Sequence, residues 1–112
     1  MKIDVWVSRS CSHQEQSRKL VDEAVAEAGV SDVDVAVHQV DGPDDARAQK
    51  VIGSPTIRVN GVDVEYAERE PDETSPGCRY YSTPDGWKPL PERGMIVRAI
   101  TVAKAREARA SS

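Results

Sequence analysis

The first forty residues switch between two hydrophobic periods, and this switch constrains the fold more than any other feature of the chain. Residues 2–8 and 32–40 alternate apolar and polar side chains, which is the period of a half-buried strand. Between them, apolar residues recur at helical spacing and a glycine suited to a helix C-cap follows: Val21, Ala24, Val25, Ala28 and then Gly29. A strand, a helix and a strand in this order predict a parallel pair with a right-handed crossover.

The rest of the chain predicts two more strands and two more helices. In chain order they are a short helix from Pro43 to about Gly53, strands over residues 56–59 and 62–65 joined by an Asn60-Gly61 turn, and a helix over residues 92–110. We predict a single α/β domain over residues 1–112 with the order βαβαββα. It has a mixed four-stranded sheet, helices on both faces, and a long loop over residues 67–90 before the last helix.

Composition excludes several classes of function. The chain has 112 residues and a net charge of −4, and its positive residues are not clustered, so we expect no nucleic-acid partner. No apolar run approaches the roughly 18 residues that would span a bilayer, and the N-terminal sequence has no signal-peptide core. We therefore expect no membrane partner and a cytoplasmic location. Two cysteines in that compartment are more often free, catalytic or metal-binding than structural.

The first cysteine, Cys11, lies between the end of a predicted strand and the start of a predicted helix. Ser12 and Glu15 fit a capping box, which places the helix start at Ser12. A thiol at a helix N-terminus has a lowered pKa, commonly about 3.5–7.5, because unpaired amides and the helix dipole favour the thiolate. Arg9 and His13 would favour it further. The alternative is that Cys11 is a small apolar residue packed under the helix, but its polar neighbours argue against burial.

The second cysteine, Cys78, lies in the long loop, which also carries Tyr80, Tyr81 and Trp87. Disordered loops are poor in aromatic residues, so we expect this one to pack. If it folds over the turn after the first strand, Cys78 could reach Cys11; otherwise it is a buried structural cysteine. The acidic residues nearby are expected to form a solvated rim: Glu65, Glu68, Glu70, Asp72 and Glu73.

Two local stretches resemble the thioredoxin/glutaredoxin superfamily. The first is "SCSHQ", residues 10–14, where thioredoxins carry C-x-x-C. The second is "GSPTIRVNG", residues 53–61, where that fold has a cis-proline followed by a hairpin. The resemblance covers roughly residues 2–66 and the last helix. With the "GCRYY" stretch in the long loop, the chain also resembles small thioredoxin-like proteins grouped with alkylmercury lyase relatives.

The resemblance implies a set of site residues. Pro55 should be cis and should face Cys11, and the exposed backbone of Ser54 should pair with a substrate as an added strand. The implied substrate-binding residues are Ser54, Pro55, Thr56, His13 and Gln14. Gln14 stands where the resolving cysteine of thioredoxins would be, so Cys78 or an external thiol would have to take that role.

These features predict a thiol–disulfide oxidoreductase with Cys11 and Cys78 as catalytic residues, acting on a disulfide or a low-molecular-weight thiol without a cofactor. One alternative is a non-catalytic module that binds a small thiol, a peptide or a soft metal ion such as Hg(II), Cu(I) or Zn(II). No paired metal-ligand spacing supports a metal site. Another is organomercurial-lyase-like activity, which needs both cysteines and a nearby acid such as Asp85. The sequence does not predict an oligomeric state.

Overall fold

The computed structural model describes residues 1–9, 13–67, 69 and 73–110. The elements, in chain order, are β1 (Lys2–Ser8), α1 (Gln14–Ala28), β2 (Asp34–Val40), α2 (Pro43–Gln49), β3 (Thr56–Val59), β4 (Val62–Asp63), β5 (Tyr81–Thr83), β6 (Gly86–Lys88) and α3 (Arg93–Ala110). No helix in these described ranges is long and apolar enough to cross a membrane.

The central sheet has the strand order β2-β1-β3-β4. β1 pairs with β2 in parallel, whereas β1 with β3 and β3 with β4 are antiparallel. This confirms the predicted α/β architecture with a mixed four-stranded sheet. Because β1 is central, it forms ladders with both the second and the third strand.

Alternation along β1 divides the core between the two faces of the sheet. One face packs against α1 and α3 through fully or nearly fully buried residues: Ile3, Val5, Val7, Val21, Ala24, Ile57, Ile96 and Ile100. The other face carries Trp6, which breaks the polar phase of β1 because it packs with Val40, Ala46 of α2, and Val51. The helices therefore cover both faces, as predicted.

Two helix boundaries differ from the sequence prediction. α1 begins at Gln14, with His13 as its N-cap, and the first helical bond runs from the Ser17 amide to the His13 carbonyl at 2.8 Å. The predicted start at Ser12 was therefore wrong, and Ser12 itself lies outside the described residues. α2 ends at Gln49 because Lys50 adopts a left-handed conformation, with φ 58°, and turns the chain before Gly53.

The long segment before α3 contains a hairpin that the prediction missed. β5 and β6 pair in antiparallel register, with Thr83 opposite Gly86. Pro84-Asp85-Gly86 is a turn sequence of the usual kind, so the signal was present in the sequence. Packing of this segment is confirmed for Tyr81, which is fully buried, whereas Tyr80 and Trp87 are exposed.

Candidate functional site

Cys78 lies in a short extended segment that runs beside the residues leading into β3. We call residues 75–79 the strap. The strap is joined by three backbone hydrogen bonds to the chain between Val51 and Ser54: Ser75 N to Val51 O at 2.8 Å, Ser54 N to Gly77 O at 2.7 Å, and Arg79 N to Ser54 O at 3.0 Å. Ser54 and Cys78 form an isolated parallel bridge. The strap is therefore held by its backbone against the residues that lead into β3.

Ser54 also joins the strap to the end of the first strand. Its hydroxyl accepts a hydrogen bond at 3.0 Å from the amide of Ser8, which is the last residue of β1. The chain then passes through residues 9–13 to the start of α1. Cys11 belongs to that connection and lies outside the described residues, so the predicted thiolate at this position stays a prediction.

Cys78 is disulfide-bonded and exposed to solvent. The chain contains one other cysteine, Cys11. The alternative that Cys78 is a buried cysteine was therefore wrong, because the residue is exposed.

A buried ion pair anchors the strap immediately after the cysteine. Arg79 is 5 % exposed, and its guanidinium donates to both carboxylate oxygens of Asp63, at 2.7 and 2.8 Å. The same guanidinium lies 3.5 Å from Glu65 and 4.1 Å from the ring centre of Tyr81. Bidentate geometry of this kind fixes the orientation as well as the position of the arginine.

The ion pair fixes the protonation state of both partners. Burial alone would raise the pKa of Asp63, but the hydrogen bonds and charge of Arg79, together with the amides of Tyr66 and Glu65, outweigh it and lower that pKa. Burial likewise opposes the charge on Arg79, yet Asp63 above all keeps the pKa of Arg79 raised. Burial raises the pKa of Tyr81, so its phenol stays neutral and donates to the Pro55 carbonyl.

The strap approaches the main chain most closely at Gly53. This residue has φ +136°, and a Cβ placed on it would lie 2.6 Å from the Cβ of Arg79 and 2.9 Å from its Cα. Both the backbone conformation and the space therefore require glycine at position 53. A larger residue would push the strap, and Cys78 with it, away from Ser54.

The residues implied as substrate-binding are mostly buried. The Ser54–Pro55 bond is cis, which confirms that expectation. Ser54, Pro55 and Thr56 are nearly inaccessible, and the Thr56 hydroxyl donates to the Gly53 carbonyl at 2.6 Å. The backbone of Ser54, expected to be exposed, is paired with the strap instead. His13 and Gln14 lie at the start of α1, where Gln14 is exposed.

A pocket of about 410 Å³ opens beside Cys78. Its lining includes Cys78, Arg79 and three aromatic residues: Tyr66, Tyr80 and Trp87. Trp87 is 70 % exposed and Tyr80 is 57 % exposed. The pocket thus combines a disulfide-bonded cysteine with accessible aromatic rings.

Sequence reasoning missed the ion pair between Arg79 and Asp63, and it placed Glu65, the second acidic neighbour of Arg79, wrongly. Glu65 was expected in a solvated rim, but its side chain is 18 % exposed, faces Arg79, and accepts a hydrogen bond from the Ser82 amide at 2.9 Å. Of the other rim residues, Glu73 is exposed, whereas Glu68, Glu70 and Asp72 lie outside the described residues. An arginine next to a cysteine in an aromatic-rich segment was the available signal, but nothing local pointed to Asp63.

The alternative chemistries gain no support from these positions. Within the described ranges, no three histidine, cysteine or carboxylate side chains are grouped so that they could hold a metal ion. Asp85, the acid considered for lyase-like chemistry, is exposed in the turn between β5 and β6. The soft-metal and lyase readings stay predictions.

The chain matches no protein-family model, no curated protein and no solved structure. Its function is therefore inferred from the residues and their geometry.

Proposed function

We propose that this protein carries out thiol–disulfide exchange, with Cys11 and Cys78 as its redox pair. One observation carries the proposal: Cys78 is disulfide-bonded in a chain that has a single other cysteine, and that cysteine lies three residues after the end of β1 in the sequence. Ser54 supports the pairing, because its hydroxyl binds the end of β1 while its backbone binds the strap that holds Cys78.

The layout of the sheet supports a thioredoxin-like fold for this exchange. A β1-α1-β2 unit is followed by an antiparallel β3-β4 pair and a final helix, and the strand order is β2-β1-β3-β4. In this proposal the second cysteine comes from the strap, since position 14 is glutamine. The chain would therefore carry its own resolving cysteine on a separate segment.

The proposed reaction is a two-electron exchange. Two substrate thiols reduce the Cys11–Cys78 disulfide to a dithiol, and the substrate is oxidised to a disulfide with loss of two protons and two electrons. The reverse reaction reduces a substrate disulfide. A lowered pKa at Cys11, expected beside the first turn of α1, makes its sulfur a good leaving group when the protein disulfide opens.

The first test is whether the two cysteines pair and exchange. The protein is oxidised with diamide, digested without reductant and analysed by mass spectrometry, and it is then titrated in glutathione buffers. We expect a peptide linking Cys11 to Cys78 and a potential above about −300 mV, the range in which disulfides are exchangeable rather than purely structural.

Two single variants serve as matched controls, Cys11→Ser and Cys78→Ser. Each should retain the fold by circular dichroism and, in glutathione buffers, form only a mixed disulfide with glutathione in place of an internal disulfide. Two separately alkylated thiols in the oxidised wild type would overturn the pairing. A linked peptide whose disulfide resists reduction far below that potential would assign the bridge a structural role and refute exchange.

A further inference from the structure

The pocket beside Cys78 indicates which of the two sulfurs meets the substrate in the proposed exchange. The sequence expectation makes Cys11 the sulfur that meets the substrate, and Cys11 lies outside the described residues. Among the described residues, Cys78 is exposed and lines a pocket, so it offers a second point of attack. Thiol–disulfide exchange requires the attacking sulfur to reach its target sulfur along an open path. Cys78 lines an open pocket, so a path of this kind is available next to this residue.

Two exposed aromatic residues line this pocket, together with charged side chains such as Arg69. Trp87 and Tyr80 are two of the three large hydrophobic residues that are exposed in the described part of the chain. Both of them line the same pocket as the disulfide-bonded cysteine. Exposed aromatic surface at a concave site is typical of ligand recognition, because a planar group can stack there.

These walls are held in place relative to Cys78. The Tyr66 ring lies under two guanidinium groups, with Arg69 at 5.2 Å and Arg79 at 5.5 Å from its centre. Trp87 lies on β6 opposite Ser82, and the Ser82 amide is bound by Glu65, which itself faces Arg79. Arg79 follows Cys78 directly, so one network joins the cysteine, the hairpin and the pocket wall.

We infer that the substrate exchanges at the sulfur of Cys78, and that the pocket selects thiols and disulfides with a planar group next to the sulfur. This inference rests on the proposed redox pair. It assigns Cys78 as the residue that carries the mixed disulfide, and Trp87 as the residue that determines specificity.

The exchange takes place in two displacement steps. A substrate thiolate attacks Sγ of Cys78, the bond between the two protein sulfurs breaks, and Cys11 leaves as a thiolate. A second substrate thiolate then attacks the substrate sulfur of the mixed disulfide, so the substrate disulfide forms and Cys78 leaves as a thiolate that takes a proton from water. In the reverse direction, the Cys78 thiolate attacks a substrate disulfide, and the Cys11 thiolate resolves the mixed disulfide.

The test traps the mixed disulfide and measures selectivity. Reduced Cys11→Ser protein is reacted with 4,4′-dithiodipyridine, which carries a planar ring next to each sulfur, and with bis(2-hydroxyethyl) disulfide, which carries none. Rates are divided by those of free cysteine with the same reagents to remove intrinsic reactivity. We expect a thiopyridyl adduct on Cys78 by mass spectrometry and a normalised preference for the planar-ring reagent.

Truncation of the aromatic wall separates selectivity from simple exposure. Trp87→Ala in the Cys11→Ser background should lower the normalised rate ratio of the planar-ring reagent to the other reagent by about threefold. This factor is typical of one aromatic contact. The matched control is Val102→Ala, another exposed hydrophobic residue, 44 % accessible, on α3 away from the pocket. It should leave the preference unchanged.

Different results would refute the role of Cys78 and its pocket and the Cys11–Cys78 redox pair itself. If the Cys11 thiol of Cys78→Ser reacts quickly and selectively while Cys78 in Cys11→Ser does not, the inference is refuted and the redox pair stands. A planar preference that survives Trp87→Ala refutes the role of the pocket. If the wild-type chain gives no peptide linking the two cysteines, the redox pair itself is wrong.

Discussion

Loss of the Asp63 carboxylate should be among the most damaging single changes in this protein. In Asp63→Ala, the buried Arg79 guanidinium loses its bidentate partner at 2.7 and 2.8 Å. Among the described residues, Glu65 remains as an acidic partner of Arg79, at 3.5 Å. The amides of Glu65 and Tyr66, each 2.9 Å from Asp63, lose their acceptor as well.

The expected cost follows from the burial of the arginine. Removal of one partner from a buried ion pair costs about 3–5 kcal/mol, because the other charge stays buried and uncompensated. Glu65 remains close, so we expect the lower end, about 3 kcal/mol. For a domain of this size, that corresponds to a fall of about 12 °C or more in the melting temperature.

Thermal unfolding of the oxidised protein, followed by circular dichroism, measures this loss. Arg79→Met should be similarly harmful, whereas the double variant should cost less than the sum, because neither charge is left alone. Asp44→Ala is the matched control, since Asp44 is fully exposed and 3.5 Å from Arg47, and it should not change the melting temperature. A loss below about 1 kcal/mol for Asp63→Ala, or full additivity in the double variant, would refute the reasoning.

Three further changes test the same region. Folding lowers the pKa of Asp63, so the Asp63 carboxylate stabilises the folded state above the unfolded-state pKa, and this stabilisation is lost as the pH falls through the folded-state pKa. The free energy of unfolding should therefore drop below about pH 4, and it should drop less steeply in Asp63→Asn. Gly53→Ala should destabilise by about 2 kcal/mol or more through its positive φ and the contact with Arg79, whereas Gly94→Ala in α3, with open space around it, should cost nothing in the same melts. Tyr81→Phe should cost about 1 kcal/mol in urea unfolding, because the backbone carbonyl that its hydroxyl binds loses a buried partner; an unchanged midpoint would show that this bond contributes nothing.

The regular part of the fold could be predicted from the sequence because its signals are local. Period-two alternation in residues 2–8 gave the first strand at its observed bounds, and Asn60-Gly61 gave the turn between β3 and β4. Trp6 lay outside the alternation, and only the second core on the far side of the sheet explains it. The β5–β6 hairpin had a usable turn signal, but its strands of three residues are too short to show a period.

The candidate site could be predicted only in part because its key contacts are non-local. The two cysteines and the cis-proline could be located from motifs. The strap could not, since one bridge between Ser54 and Cys78 leaves no repeating pattern in the sequence. The ion pair joins Asp63 and Arg79, which are sixteen positions apart in the sequence. At that separation, no sequence pattern distinguishes a buried ion pair from two charged residues exposed to solvent.

The strap also has a consequence for how copies of this chain meet one another. β4 is two residues long and pairs with Arg58 and Val59 of β3, whereas the residues that lead into β3 lie outside the described strands. Unpaired amides and carbonyls at a sheet edge are a template for pairing with another molecule, and proteins protect such edges with covering segments. Here the strap covers Val51 to Ser54 with its own three hydrogen bonds. The segment that presents Cys78 thus also occupies backbone groups of Val51 and Ser54 that could otherwise pair with a neighbouring molecule.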